Sequence, residues 1–291
     1  MTFSELNDLI KELKNVDNVD FFVLGDSLLG QQIYCVHVGS YAGNQIIMEG
    51  AIHAREYVTA PLLVEMAKYL APMQLNGGIY IIPMVNPDGV RLVLDGTNWL
   101  VCEKLREFVV NVNNGSTDFS SWKANLNAVD LNVNFDALWG EGAQNVFCVS
   151  PANFVGYYPN SEREVRNLIN FTLKENPSLT LSYHTKGNVI YYGFETLSEK
   201  SLNRDLEFAN TISSITGYPV IKTEKSVGGY SDFVSMKLDV PAFTIEVGSD
   251  SLTHPITINN LPEIFEQNKD VPIAMLNMLD NLNIHYWRIT T

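Results

Sequence analysis

Positive charge is scarce in this 291-residue chain: 19 lysines and arginines stand against 33 aspartates and glutamates, a net charge of −14. A surface so negative repels nucleic acid and anionic membranes, so neither is expected as a partner. Cysteine is almost absent. Cys35, Cys102 and Cys148 are an odd number at wide, unpatterned spacing, which argues against a disulfide framework and against a thiolate zinc site. Also missing are an internal repeat, a low-complexity linker, an apolar run long enough to cross a membrane and, at the N-terminus, a basic stretch leading into an apolar core. The expected localisation is therefore cytoplasmic, with the chain opening directly on its catalytic domain.

What the chain does have is apolar material, 46% of its residues, enough for one substantial core spanning 1–291. MTFSELNDLIKELKNV reads as an amphipathic helix with Phe3, Leu6, Leu9, Ile10 and Leu13 on one side. Short β-like runs follow at 21–24, 33–38 and 46–49, then a helix over 59–70 and a buried strand over 78–84 that runs into Asn-Pro-Asp-Gly, a turn signal. Residues 90–121 look irregular, an excursion from the sheet. Ser161, with Glu164 three residues on, reads as a capping box opening a helix that ends before Pro177. Strands are expected at 179–183, 188–192 and 242–247, and helices at 200–216, closed by Gly217, and 261–281. This alternation predicts an α/β fold, a single domain with a mixed, mostly parallel central sheet and helices on both faces.

Several polar residues fall where strands end. His53 and Glu56, in Gly-Ala-Ile-His-Ala-Arg-Glu-Tyr, lie between a predicted strand and a predicted helix, where a three-residue offset lets an imidazole and a carboxylate converge. Two histidines and a glutamate are the donor set of several catalytic zinc sites. A bare His-x-x-Glu is also a common surface pair or helix-capping carboxylate, so a third donor is required. His184 ends Leu-Thr-Leu-Ser-Tyr-His, at the edge of an α/β sheet where sites gather, although a satisfied buried histidine fits there too. For His37, His254 and His285 the structural reading is preferred. Glu246 ends the apolar strand Pro-Ala-Phe-Thr-Ile-Glu, and a carboxylate there is either paired structurally or catalytic; both readings stand.

Taken in order, these segments resemble the zinc metallocarboxypeptidase family over residues 46–250. His53-x-x-Glu56 matches its metal motif, with Arg55 also in pattern. Asn86-Pro-Asp-Gly89 matches a turn these enzymes carry, and Asp130-Leu-Asn-Val-Asn-Phe135 matches their Asp-Leu-Asn-Arg-Asn-Phe at every position but one. Tyr158-Pro-Asn-Ser-Glu-Arg-Glu-Val165 and Phe243-Thr-Ile-Glu246 resemble two further segments. The resemblance implies an α/β/α sandwich and one zinc ion held by His53, Glu56 and His184. It implies Glu246 as the base that takes a proton from the metal's water and returns it to the leaving amine, and Arg55 and Lys123 as the groups that polarise the scissile carbonyl and stabilise the oxyanion. Asp130 would hold the His53 tautomer.

Two departures bear on the substrate. Carboxypeptidases of this family grip a free C-terminal carboxylate with Asn and Arg where this chain has Asn132 and Val133, and valine offers neither charge nor donor. The family's mobile tyrosine is expected where Glu224 stands; Tyr230 is taken as its substitute. His184 is followed by Thr185-Lys186-Gly187, and Lys186 is the proposed cation for a substrate carboxylate. With Asp-Ala-x-Trp-Gly and Glu-Val-Gly-Ser-Asp, the pattern resembles a bacterial branch associated with γ-D-glutamyl-meso-diaminopimelate peptidases that act on cell-wall muropeptides. The implied partner is a peptide or muropeptide substrate. The competing readings are a carboxypeptidase of unusual C-terminal specificity and a catalytically inactive zinc-containing binding module.

Overall fold

The computed structural model describes residues 1–194 and 196–281. The chain opens on α1 (Phe3–Lys11), capped reciprocally: Thr2 Oγ1 accepts from the Glu5 N–H while the Glu5 carboxylate accepts from the Thr2 N–H. This helix buries Phe3, Leu6 and Ile10, and the 3-10 turn after it buries Leu13. Then come β1 (Val19–Asp26), β2 (Gln32–Gly39), β3 (Gln45–Gly50), α2 (Thr59–Leu70), β4 (Gly78–Ile82), α3 (Pro87–Asp95), α4 (Glu103–Val112), α5 (Arg163–Glu175), β5 (Leu179–His184), β6 (Val189–Tyr192), α6 (Glu199–Thr216), β7 (Val220–Lys222), α7 (Tyr230–Leu238), β8 (Ala242–Glu246), α8 (Leu261–Asn268) and α9 (Val271–Asn281).

The strands form one sheet in the order β1-β2-β4-β3-β5-β8-β6-β7. The pairs β4/β3, β3/β5, β5/β8 and β6/β7 are parallel; β1/β2, β2/β4 and β8/β6 are antiparallel. The expected mixed, mostly parallel α/β sheet is what the structure has. Every residue of β3, β4 and β5 is buried, as strands covered on both faces must be. One face packs on α1, α2, α6, α8 and α9 through residues such as Leu6, Leu63, Phe208, Ile264 and Met275; the other packs on α5 and α7 through Leu168, Phe171, Phe233 and Val234. A satellite cluster of Leu92, Leu100, Val109, Phe119 and Trp122 lies beside them. Among the described residues no helix is long and apolar enough to cross a membrane.

Four local expectations need correction. Asn-Pro-Asp-Gly is a helix start rather than a chain-reversing turn: Asn86 Oδ1 accepts from the Gly89 N–H at 3.1 Å and Pro87 takes the first helical position, where its missing N–H costs nothing. Residues 90–121 contain the rest of α3 and all of α4, where Leu105, Phe108, Val109 and Val112 recur at helical spacing although only Val109 is fully buried. Ser161 caps nothing; its hydroxyl donates to Glu162 Oε1, α5 begins at Arg163, and Glu164 turns inward to accept from the Leu28 N–H. The last predicted helix is two, and Pro272 supplies the break because it has no N–H for a continuous helical ladder. His285 lies outside the described residues.

Candidate active site

Three parallel strands, β3, β5 and β8, deliver polar side chains to one edge of the sheet. His184 is the last residue of β5 and pairs in register with Glu246, the last of β8. His53 follows β3 by three residues and opens a single 3-10 turn, Ala54–Glu56, that brings Glu56 back toward it. That turn is held tightly. The Ala51 N–H donates to Thr59 Oγ1, the Thr59 hydroxyl donates to the Glu56 carbonyl, and the Ala54 N–H donates to the Lys123 carbonyl. Asn86 ties the arrangement together from below: its side-chain N–H2 donates to the carbonyls of Ile52 and Ala124, 3.2 Å each, joining the His53 turn to the Lys123 loop. Gly89 allows that closeness, since a Cβ there would lie 2.6 Å from the Ala124 carbonyl oxygen.

The three expected donors do converge. His53 Nδ1, His184 Nδ1 and the Glu56 carboxylate stand 3.1 Å from one another in all three pairings, and all three side chains are buried. Among the described residues this is the group of donors that could hold a metal ion. Edges of that length suit a small tetrahedral ion such as zinc, whose donors at 2.0–2.2 Å lie roughly 3.3 Å apart. The far nitrogen of His53 rests 3.2 Å from Asp130 Oδ1, which orients the ring and leaves Nδ1 toward the other donors. Asp130 is itself fixed by the N–H groups of Asn132 and Asn153, and Lys123 Nζ lies 3.5 Å from its other oxygen. Burial alone would raise the Asp130 pKa, but the charges of Lys123 and His53 outweigh it and hold the carboxyl well below the usual range.

Glu246 is the opposite case. Burial first, and then the negative charge of Glu56, push its carboxyl up to about 7, and its Oε2 has no hydrogen-bond partner. A carboxylate poised near neutral and unspent in structure is suited to accepting a proton. Arg55 stands beside Glu56, Nε 3.9 Å from Oε1, and that Nε makes no hydrogen bond.

Next to His53, His184 and Glu246 opens a cavity of about 420 Å³. Lys123, Asp130, Asn132 and Val133 line it, so the structure gathers most of the residues singled out in the sequence. Its far wall is mainly polar, with Ser231, Asp232, Ser235, Thr244, Tyr191 and Asn145. Four expected residues, Arg55, Glu56, Tyr230 and Lys186, are not on it. Tyr230 is fully buried, its hydroxyl 2.8 Å from Thr172 Oγ1 and its ring against Phe135; Glu224 is the residue that faces the cavity. Lys186 lies outside the lining, its Nζ 2.8 Å from Asp250 Oδ1. Sequence reasoning missed the network behind the site, where Glu162 accepts from the side chains of Asn125 and Asn127 and Asn134 donates to Val155. A run of asparagines with a buried glutamate was its only signal.

The zinc carboxypeptidase family model matches residues 6–270. This chain belongs to the zinc carboxypeptidase family. Among curated relatives, the gamma-D-glutamyl-L-diamino acid endopeptidase 1 of Lysinibacillus sphaericus is 32% identical over 269 residues, 87% of this chain and 66% of the relative; the chain thus spans just under two thirds of that protein's length. Solved structures with the same fold include bovine thrombin-activatable fibrinolysis inhibitor, at 16% identity, TM-score 0.74 and coverage of 97% of this chain and 98% of that one. The murein-tripeptide amidase MpaA of Escherichia coli follows at 19% identity and TM-score 0.56, covering 97% and 98%. The family is zinc-dependent, and the triad of His53, Glu56 and His184, a donor group that could hold a metal ion, lies within the matched residues.

Proposed function

We propose that this chain is a zinc-dependent peptidase cleaving γ-D-glutamyl–diaminopimelate bonds in cell-wall muropeptides. The observation that carries the reading is the convergence of His53, Glu56 and His184 beside Glu246, whose Oε2 makes no hydrogen bond, over a polar cavity whose wall holds Val133 and, among the described residues, no arginine. A guanidinium is the group best shaped to grip a terminal carboxylate in two places, so the wall is poorly equipped for ordinary C-terminal trimming. A diamino acid offers ammonium and carboxylate groups together, which suits a lining of hydroxyls, amides and the Asp232 carboxylate. The name of the Lysinibacillus relative, an endopeptidase for γ-D-glutamyl-L-diamino acid bonds, supports the same class.

Zinc held by His53, Glu56 and His184 would supply a Lewis acid and a water acidic enough to deprotonate near neutral pH. The chain's own groups do the rest. Glu246 faces the cavity, takes a proton and passes it to the departing amine. Arg55 and Lys123 hold the carbonyl oxygen as negative charge grows on it, and Asp130 keeps the His53 ring in one tautomer. The test is mass spectrometry of products from zinc-loaded protein incubated with L-Ala-γ-D-Glu-meso-diaminopimelate and with ordinary α-linked peptides, free or amidated at the C-terminus. Release of L-Ala-D-Glu and diaminopimelate is expected. If the muropeptide survives while free C-termini are trimmed, the reading is wrong.

A further inference from the structure

The donors of the triad adjoin two unlike surroundings. One is the cavity with Glu246. Beside the triad but outside that cavity's lining stand Arg55, next to Glu56, and Lys186 and His254, next to Thr185. Thr185 links the last two to the triad: its N–H donates to Glu56 Oε2 at 3.1 Å, its hydroxyl is 3.5 Å from His254 Nδ1, and Lys186 is its chain neighbour. Arg55 Nε is shielded from water and makes no hydrogen bond, with Glu56 Oε1 3.9 Å away. The Lys186 side chain is 19% exposed, and the group that holds it, Asp250, is 86% exposed. Burial and then the charge of Arg55, with Lys186 and Lys123 adding to it against Glu56, lower the basicity of His254, which shows how closely these cations share one field. In a chain with so few positive groups, that concentration has a direction.

The direction follows from Glu246. A base that returns its proton to the departing amine must face the amine side of the bond, so the amine-side residue occupies the cavity and the acyl-side residue lies across the triad. There the two linkage types differ. An α-linked residue carries a neutral amide beyond its α-carbon, whereas a γ-linked glutamate carries a free α-carboxylate. We infer that Lys186 and His254, in the field of Arg55, form a carboxylate subsite that reads the free α-carboxylate of a γ-linked acyl-side residue, with Asp250 occupying Lys186 until that carboxylate displaces it. The inference rests on the peptidase reading above.

The experiment compares two peptides differing in one group: L-Ala-γ-D-Glu-meso-diaminopimelate and its counterpart with the D-glutamate α-carboxylate converted to carboxamide. The native protein is expected to favour the acid in kcat/KM by about 10- to 100-fold, the range for one charge-assisted contact. Lys186→Met and His254→Gln should each pull that ratio toward one, and Asp250→Asn, at an exposed position that leaves packing intact, should raise it by lowering KM for the acid. The ratio reports recognition, because a loss of fold or metal lowers both peptides alike. Equal cleavage of acid and amide by the native protein overturns the subsite but not the peptidase reading. A ratio unmoved by Lys186→Met and Asp250→Asn overturns it as well. Cleavage of neither peptide overturns both.

Discussion

At the scale of single residues, the site works by contrast between two buried carboxyls. Asp130 is surrounded by donors and positive groups and stays ionised; Glu246 is surrounded by apolar strand and a second carboxylate and does not hold its charge easily. Their removal should therefore fail in different ways. Glu246→Gln is expected to cut kcat by about 10²- to 10⁴-fold while zinc content, read by atomic emission, stays at the native level. Asp130→Asn keeps the shape but weakens the hold on His53, and zinc affinity measured by chelator competition should fall about 10- to 100-fold. Loss of zinc in the first variant, or unchanged affinity in the second, would reverse the assignments. His53, Glu56, His184 and Glu246 were visible in the sequence because each ends or follows an apolar strand. Tyr230 was misplaced for a related reason: next to a Gly-Gly pair it looks like a loop residue, and only the start of α7 shows that its ring belongs to the core.

At the scale of elements, Asn86 and Glu164 show what a pattern reading leaves out. The strands and α2 were legible because burial on both faces or on one stripe imposes a period. Asn86 was legible only as a break, since nothing in Asn-Pro-Asp-Gly says that its amide bridges two loops 34 and 38 residues away in the chain. Asn86→Ala removes two buried hydrogen bonds and a helix cap, so denaturant unfolding should show a loss of roughly 2–4 kcal/mol. Glu164 took the place of a capping residue in the sequence reading, yet it is buried, and burial, with Glu162 nearby, pushes its carboxyl from 4.5 up to about 7. The sign follows from which state holds the proton. Between those two values the folded chain keeps a proton that the unfolded chain has lost, so stability is full below about 4.5 and falls as pH rises toward 7. Glu164→Gln removes that loss: its melting temperature relative to the native chain should be higher at pH 8 than at pH 5, by the equivalent of up to about 3 kcal/mol. A difference independent of pH would mean that Glu164 is ionised in the fold.

For the whole molecule, the triad draws its donors from the ends of β3 and β5, which are far apart in sequence, so an ion bound there favours the folded state over any open one. Stripping zinc with a chelator is expected to lower the melting temperature, and zinc at a hundredfold excess over its dissociation constant should restore about 3 kcal/mol of stability. Equal melting with and without zinc would show that the metal does not couple to the fold. The α/β architecture was readable at this scale because alternation survives small errors at element ends; which residues line the polar cavity was not, because that depends on how the loops pass around the sheet edge.

The in-register pairing of His184 with Glu246 has an evolutionary consequence. The spacing between the proposed metal donor and the proposed base is set by backbone hydrogen bonds, and core side chains can drift without retuning it. A slip of one residue would instead turn Ile245 into the base's place and point the carboxylate into the opposite layer. Substitutions in the loops around the sheet edge, where Val133, Glu224 and Lys186 stand, leave that pairing untouched, so substrate preference can change there without disturbing the proposed reacting groups.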